Sequence, residues 1–347
     1  MLRPFLSCSR LLQGCTEAAA QRASLSTDIR VFDAAQKLFV TPVELHGKRV
    51  KRFTIDAVFQ DTNSAGSSKG TVVSVHGSPG SHKDFKYITP LLESQGYRVV
   101  GINYPGFALS GDSDELQHHN EERTLFAQTI IDRLNLRENV LFLGHSRGSE
   151  NALRLTVANQ DKSIGMALIA PTGFTLHKTL RPMSRLRRIR HFYENYPITR
   201  RPLETFFYHF YNRVIGLRLR HGRTALTALK TMSLCDIEKQ KPFVDEINKN
   251  DKLLALVCYS GRDHLIETEI SAGFAAAFKD RVHFVLGKTG DEQAVTEEIV
   301  KAFKVDDKRR VTVELTDDNH FSQAKRPKLI AASIDAMFDA AKKFDKK

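Results

Sequence analysis

The stretch NVLFLGHSRGSENALRLTVAN, residues 139–159, carries an apolar run into a helix-like one through Gly144-His145-Ser146-Arg147-Gly148. A short, uniformly apolar run of this kind reads as a strand covered on both faces. The Gly-x-Ser-x-Gly spacing is a weak signal when it stands alone. Between a buried strand and a helix it has a mechanical reason, because the turn is sharp enough to strain the serine backbone and lift its hydroxyl to the top of a sheet. The flanking glycines clear the strand and helix on either side.

Outward from this point, similar runs recur with room for helices between them: TVVSVHG (71–77), YRVVGINY (97–104), SIGMALIAP (163–171), LLALVCYSG (253–261) and RRVTVELT (309–316). Upstream, RVKRFTIDAVFQD alternates as a half-buried strand does. Segments such as ERTLFAQTIIDRLNL carry helical spacing. Alternating strand and helix signals predict an α/β chain with a mostly parallel central sheet and helices on both faces. Two intervals break the rhythm. Residues 174–250 contain helix-length stretches rich in arginine and aromatics, and are expected to form an inserted helical lid. Residues 281–308 read as one extra strand–helix unit. The expected organisation is a core of 31–173 and 251–347, interrupted by that lid, after a leader of residues 1–30.

With these elements in place, the chain resembles the α/β-hydrolase superfamily from about Val50 to Ala340. His76-Gly77-Ser78-Pro79-Gly80 is similar to that family's oxyanion loop. The run from Asn103 to Ser110 resembles its D-x-P-G-x-G-x-S turn, with Asn103 in place of Asp and Ala108 in place of the second Gly. GHSRGSENAL resembles a little-characterised subgroup known mainly from nematodes. The resemblance implies an α/β-hydrolase fold in which nucleophile, acid and histidine follow in chain order.

A serine hydroxyl is a poor nucleophile until a base takes its proton and a third group orients that base. Ser146 is the candidate nucleophile. Asp263, in Gly261-Arg262-Asp263-His264, is the candidate acid, with Asp317 and Asp318 as alternatives. His320 is the candidate base and His264 the reserve. The resemblance places the oxyanion donors at the backbone amides of Arg147 and Ser78. The Arg147 side chain either pairs with an acid such as Glu150 or adds positive potential near the pocket. A serine at the elbow argues against the branches whose covalent intermediate forms on a carboxylate. The expected reaction is cleavage of a small-molecule ester or thioester through an acyl-enzyme. The alternative is a catalytically silent protein of the same fold that binds a ligand, a partner or a membrane.

The 52 lysines and arginines exceed the 40 acids, leaving a formal charge of +12. Between Lys178 and Lys230 stand eleven arginines opposed only by Glu194 and Glu204. That block favours a substrate with an anionic portion and peripheral contact with an anionic membrane. It disfavours a cationic amino terminus, as held by proline iminopeptidase-like enzymes, and its aromatics at helical spacing do not match a nucleic-acid motif. Its aromatics, such as Phe206 and Phe207, either wall an acyl pocket or pack lid helices. No metal-ligand spacing, phosphate loop or cofactor fingerprint is present, so no cofactor is expected. The first 30 residues, with Arg3, Arg10 and Arg22 against Glu17, have the composition of a mitochondrial transit peptide, the alternative being a cytoplasmic protein.

Overall fold

The apolar runs around the elbow become the parallel centre of one twisted sheet in the computed structural model, which describes residues 28–217 and 219–344. In chain order the strands are β1 (Arg30–Asp33), β2 (Leu38–Leu45), β3 (Phe53–Asp61), β4 (Thr71–Val75), β5 (Arg98–Ile102), β6 (Val140–His145), β7 (Ser163–Ile169), β8 (Leu254–Ser260), β9 (Val282–Leu286) and β10 (Arg310–Leu315). Their spatial order is β1-β2-β3-β5-β4-β6-β7-β8-β10-β9. The first three ladders, out to β3–β5, are antiparallel and the rest are parallel. Both faces are buried. Val73, Val75, Phe142, Met166 and Val257 point into one apolar cluster, while their strand neighbours Val72, Leu141, Leu143, Ala167 and Leu256 point into the other. This two-residue alternation, apolar on both sides, is why these strands read as continuous hydrophobic runs.

The helices of the core are α1 (Thr89–Ser94), α2 (Asn120–Arg133) and α3 (Arg147–Ala158) before β7, and α8 (Thr268–Ala276), α9 (Glu292–Lys304), α10 (Ser322–Lys325) and α11 (Pro327–Phe344) after β8. Between β7 and β8 every regular element among the described residues is helical: α4 (Met183–Asn195), α5 (Pro197–Phe210) with a π turn at Tyr211–Ile215, α6 (Gly222–Ser233) and α7 (Lys241–Lys249). Helix α7 buries Val244 and Ile247 in the same cluster as the sheet.

The strands missed in the sequence are β1 and β2. β2 contains Pro42, which removes a ladder donor, and its burial does not alternate cleanly, so neither strand signal is present. Residues 1–27, most of the stretch read as a transit peptide, lie outside the described residues. Arg30, the last residue of that expected leader, pairs with Val40 in the first ladder. Of the two departures from the family-like turn, that at Asn103 has a local reason. Asn103 accepts from the His82 amide at 2.9 Å and donates Nδ2–H to the Val58 carbonyl at 3.0 Å, a donation that an ionised Asp does not make. Ala108 sits at φ 52°, the left-handed region that favours glycine, and carries that strain.

Candidate active site

β6 ends at His145 and α3 begins at Arg147, leaving Ser146 alone at φ 52°, ψ −124°. That backbone is held from both sides. The Ser146 amide donates to the Ile169 carbonyl at 2.9 Å, and the Ser146 carbonyl accepts from the Ser149 amide at 2.8 Å. A Cβ on Gly148 would lie 2.3 Å from the Val75 carbonyl oxygen, and one on Gly144 would lie 2.7 Å from Ala152 Cβ. Only glycine at both positions lets α3 start this close to the sheet. Ser146 is half-buried rather than freely exposed.

Two loops at the same edge of the sheet supply the other groups. Register pairs Leu315 with Ser260, so the loops after β10 and β8 emerge side by side. They are laced together by the Arg262 amide donating to the Asp318 carbonyl at 3.0 Å. His320 Nδ1–H donates to Asp263 Oδ2 at 2.7 Å, and both side chains are buried. The other carboxylate oxygen, Oδ1, accepts from the amides of Leu265 and Ile266 at 2.8 and 3.0 Å. Burial alone would raise the Asp263 pKa. The His320 hydrogen bond and the two amides outweigh it, so the carboxyl titrates below its ordinary value. Burial lowers the His320 pKa against the opposing pull of Asp263, which keeps the ring neutral with Nε2 as an acceptor. The alternative acids are occupied elsewhere. Asp318 pairs with Arg326 at 3.0 Å, and Asp317 with Arg262 at 2.6 Å. His264 is exposed, with its ring centroid 6.5 Å from that of His320.

The loop after β4 carries Ser78 past the elbow, and a Cβ on Gly77 would lie 3.2 Å from Ser146 Cβ. The Arg147 amide is the first of α3, where the helix has no acceptor of its own to offer. His76 is spent on structure: its Nε2 accepts from the Tyr104 amide at 3.0 Å and its Nδ1–H donates to the Gly77 carbonyl at 2.7 Å. Burial pushes its pKa down to about 4.

Asp84 and His145 tie these loops together. Asp84 Oδ2 accepts from the Gly77 amide at 3.4 Å and lies 3.6 Å from His145 Nδ1, while His145 Nε2–H donates to the His320 carbonyl at 3.0 Å. Asp84 is also the far end of a capping box with Ser81, a Ser-x-x-Asp signal that sequence reading passed over.

The Arg147 side chain turns away from the nucleophile. Its Nη1 meets Glu150 Oε2 at 2.7 Å and Asn120 Oδ1 at 2.6 Å, with both charged partners fully buried. Of the two readings of Arg147, the ion pair is the one realised.

The helical segment closes over the site from two directions. Ser78 Oγ donates to the Ala228 carbonyl of α6 at 3.5 Å. On the other side the Lys178 amide donates to Glu267 at 2.9 Å and its Nζ to the Asp263 carbonyl at 3.4 Å. That staple brings in His177, buried, with its pKa lowered to about 4 first by burial and then by the nearby His320. Nothing in its sequence surroundings marks it. A half-open cavity of about 680 Å³ within the segment is walled by Leu176, Met183, Arg190, Cys235 and Ile237, and does not include Ser146. Phe207 and Phe210 pack the covering helices against one another. Among the described residues no cluster of histidine, cysteine and carboxylate suits a metal ion.

A parallel sheet with this strand order, an elbow serine after β6 and a helical excursion after β7 is the α/β-hydrolase fold. The chain belongs to the family of alpha/beta hydrolases of unknown function, DUF1057, whose profile matches residues 35–339. The uncharacterised protein F35H12.5 of Caenorhabditis elegans is 29% identical over 354 residues, spanning 100% of this chain and 97% of its own. Among solved structures, a thermophilic esterase from Thermogutta terrifontis superposes with a TM-score of 0.56 at 15% identity, covering 85% of this chain and 96% of its own. Bromoperoxidase from Bacillus anthracis gives 0.54 at 16%, covering 84% and 97%. Haloalkane dehalogenase DatA from Agrobacterium tumefaciens gives 0.57 at 16%, covering 87% and 97%. At such identities the likeness is one of fold.

Proposed function

We propose that the protein is a serine hydrolase that cleaves an ester or thioester through Ser146, His320 and Asp263. The observation that carries this reading is the buried 2.7 Å His320–Asp263 hydrogen bond at the sheet edge where Ser146 holds its strained elbow. Asp263 fixes the tautomer, so His320 Nε2 is the group available to take the Ser146 proton. Ser146 Oγ then attacks the acyl carbonyl, and the Arg147 and Ser78 amides receive the oxyanion. His320 returns the proton to the leaving alcohol or thiol. Water, deprotonated by the same ring, releases the acid. A serine at the elbow separates this reading from carboxylate-nucleophile chemistry.

The test is covalent labelling of the purified protein by a fluorophosphonate. Wild type is expected to label at Ser146, Ser146→Ala not at all, and Asp263→Asn at a rate lower by roughly 10³-fold or more, because its ring loses the required tautomer. Asp317→Asn is expected to label as wild type. A folded wild type that does not label would return the chain to the silent, ligand-binding alternative.

A further inference from the structure

The outward face of the covering segment is unlike the rest of the surface. Between Lys178 and Lys230 its two acids are both engaged: Glu194 with Lys48 at 2.6 Å and Lys230 at 3.6 Å, and Glu204 with the Tyr193 hydroxyl at 2.7 Å. Arg185, Arg187, Arg188, Arg201, Arg213 and Arg220 are exposed and form no ion pair among the described residues. Interleaved with them are large apolar side chains in water: Ile198 is 86% exposed, Val214 69%, Phe206 60%, Tyr196 48% and Phe192 44%.

The arrangement follows helix geometry. On α5 the exposed residues Ile198, Arg201, Pro202, Thr205, Phe206 and His209 recur every three or four positions and form one stripe. The opposite stripe, Leu203, Phe207 and Phe210, packs against α4 and α6. The apolar residues of the outer stripe are therefore surplus to the fold. On α4, Arg185, Arg188 and Phe192 form an exposed stripe of their own, and the Phe192 ring lies 5.6 Å from that of Tyr196 at the corner before α5.

We propose that this face, formed by α4, α5 and the following π turn, docks on an anionic lipid bilayer. Arginine side chains reach phosphate oxygens while their aliphatic stems lie along the acyl boundary, which allows Ile198, Phe206 and Val214 to sink deeper between them. An interface that gathers unpaired arginines while its two acids are already engaged matches a surface of negative potential. Nucleic acid is the less suitable occupant, because Ile198 and Val214 have no ring to stack on a base and no donor for a phosphate. Docking here is independent of whether Ser146 is a nucleophile.

The experiment is co-sedimentation of the full chain with vesicles of phosphatidylcholine alone or with about one-third phosphatidylserine, at physiological salt. Binding is expected only to the anionic vesicles. Reversal of four exposed arginines, as Arg185→Glu, Arg188→Glu, Arg201→Glu and Arg213→Glu combined, is expected to weaken it by roughly several hundredfold, at about fivefold per arginine. The thermal midpoint of that variant shows that it remains folded. The chain has no tryptophan, so Ile198→Trp installs a single reporter at an exposed site. Its emission is expected to shift to the blue on anionic vesicles and to be quenched by brominated lipid. Wild type indifferent to phosphatidylserine overturns the proposal. So does a charge-reversed variant that binds unchanged, which would move the contact to other basic residues such as those of the N-terminal segment. An unshifted tryptophan overturns it as well, since it would reduce the contact to charge alone, as a nucleic acid or acidic protein would make.

Discussion

Replacing Ser146 by glycine is expected to make the protein more stable while removing the candidate nucleophile. The backbone at φ 52°, ψ −124° is the mirror image of extended conformation, which glycine adopts freely and a residue with a Cβ does not. Strain of this type costs about 1–3 kcal/mol. Glycine adds flexibility to the unfolded chain, which takes back about 0.4–1 kcal/mol. The net expectation is a gain of about 0.5–2 kcal/mol, a shift of only a few degrees in a chain of this length. Ser146→Ala is the control, because it removes the same hydroxyl and keeps the Cβ and its strain. Urea denaturation of wild type and both variants, read with equal m-values, measures the difference directly. Equal stability of Ser146→Gly and Ser146→Ala would refute the view that the elbow stores strain to present its side chain.

Two further outcomes follow from buried charge. His76 and His177 have folded pKa values of about 4 against 6.5 when unfolded, so the unfolded chain takes up their protons first as pH falls. Their contribution is complete above pH 6.5 and is lost progressively toward pH 4. Between pH 7 and pH 5 each is expected to cost about 2 kcal/mol, and urea midpoints that stay flat across that interval would contradict the burial argument. Glu150→Ala leaves the fully buried Arg147 without its carboxylate and is expected to destabilise by about 3–5 kcal/mol. The double variant Arg147→Met with Glu150→Leu is expected to recover much of that, and a cost of less than about 1 kcal/mol for Glu150→Ala alone would show that Asn120 suffices as partner.

What the amino-acid sequence determined by itself was local and periodic. Uniform apolar runs identify the parallel strands because a strand buried on both faces has no polar side to show, and Gly144, Ser146 and Gly148 mark the elbow because strand, turn and helix are contiguous there. Ser146, Asp263 and His320 each stand just beyond a readable strand, and their order as candidates came from the resemblance to the α/β-hydrolases. Tertiary structure decided between partners. Asp263, Asp317 and Asp318 are equivalent as residues in turns, and the register of β8 against β10, with Arg262 and Arg326 occupying the other two acids, leaves Asp263 facing His320. The direction of the Arg147 side chain was likewise set by a buried acid and by Asn120 on another helix. His177 and His145 had no local signal of a role at the site, because what matters about each is proximity to a loop far away in sequence, whereas Asp84 carried the Ser-x-x-Asp signal of a capping box. Periodicity records which face of an element is buried; only the packing of the elements records which side chain is buried against which.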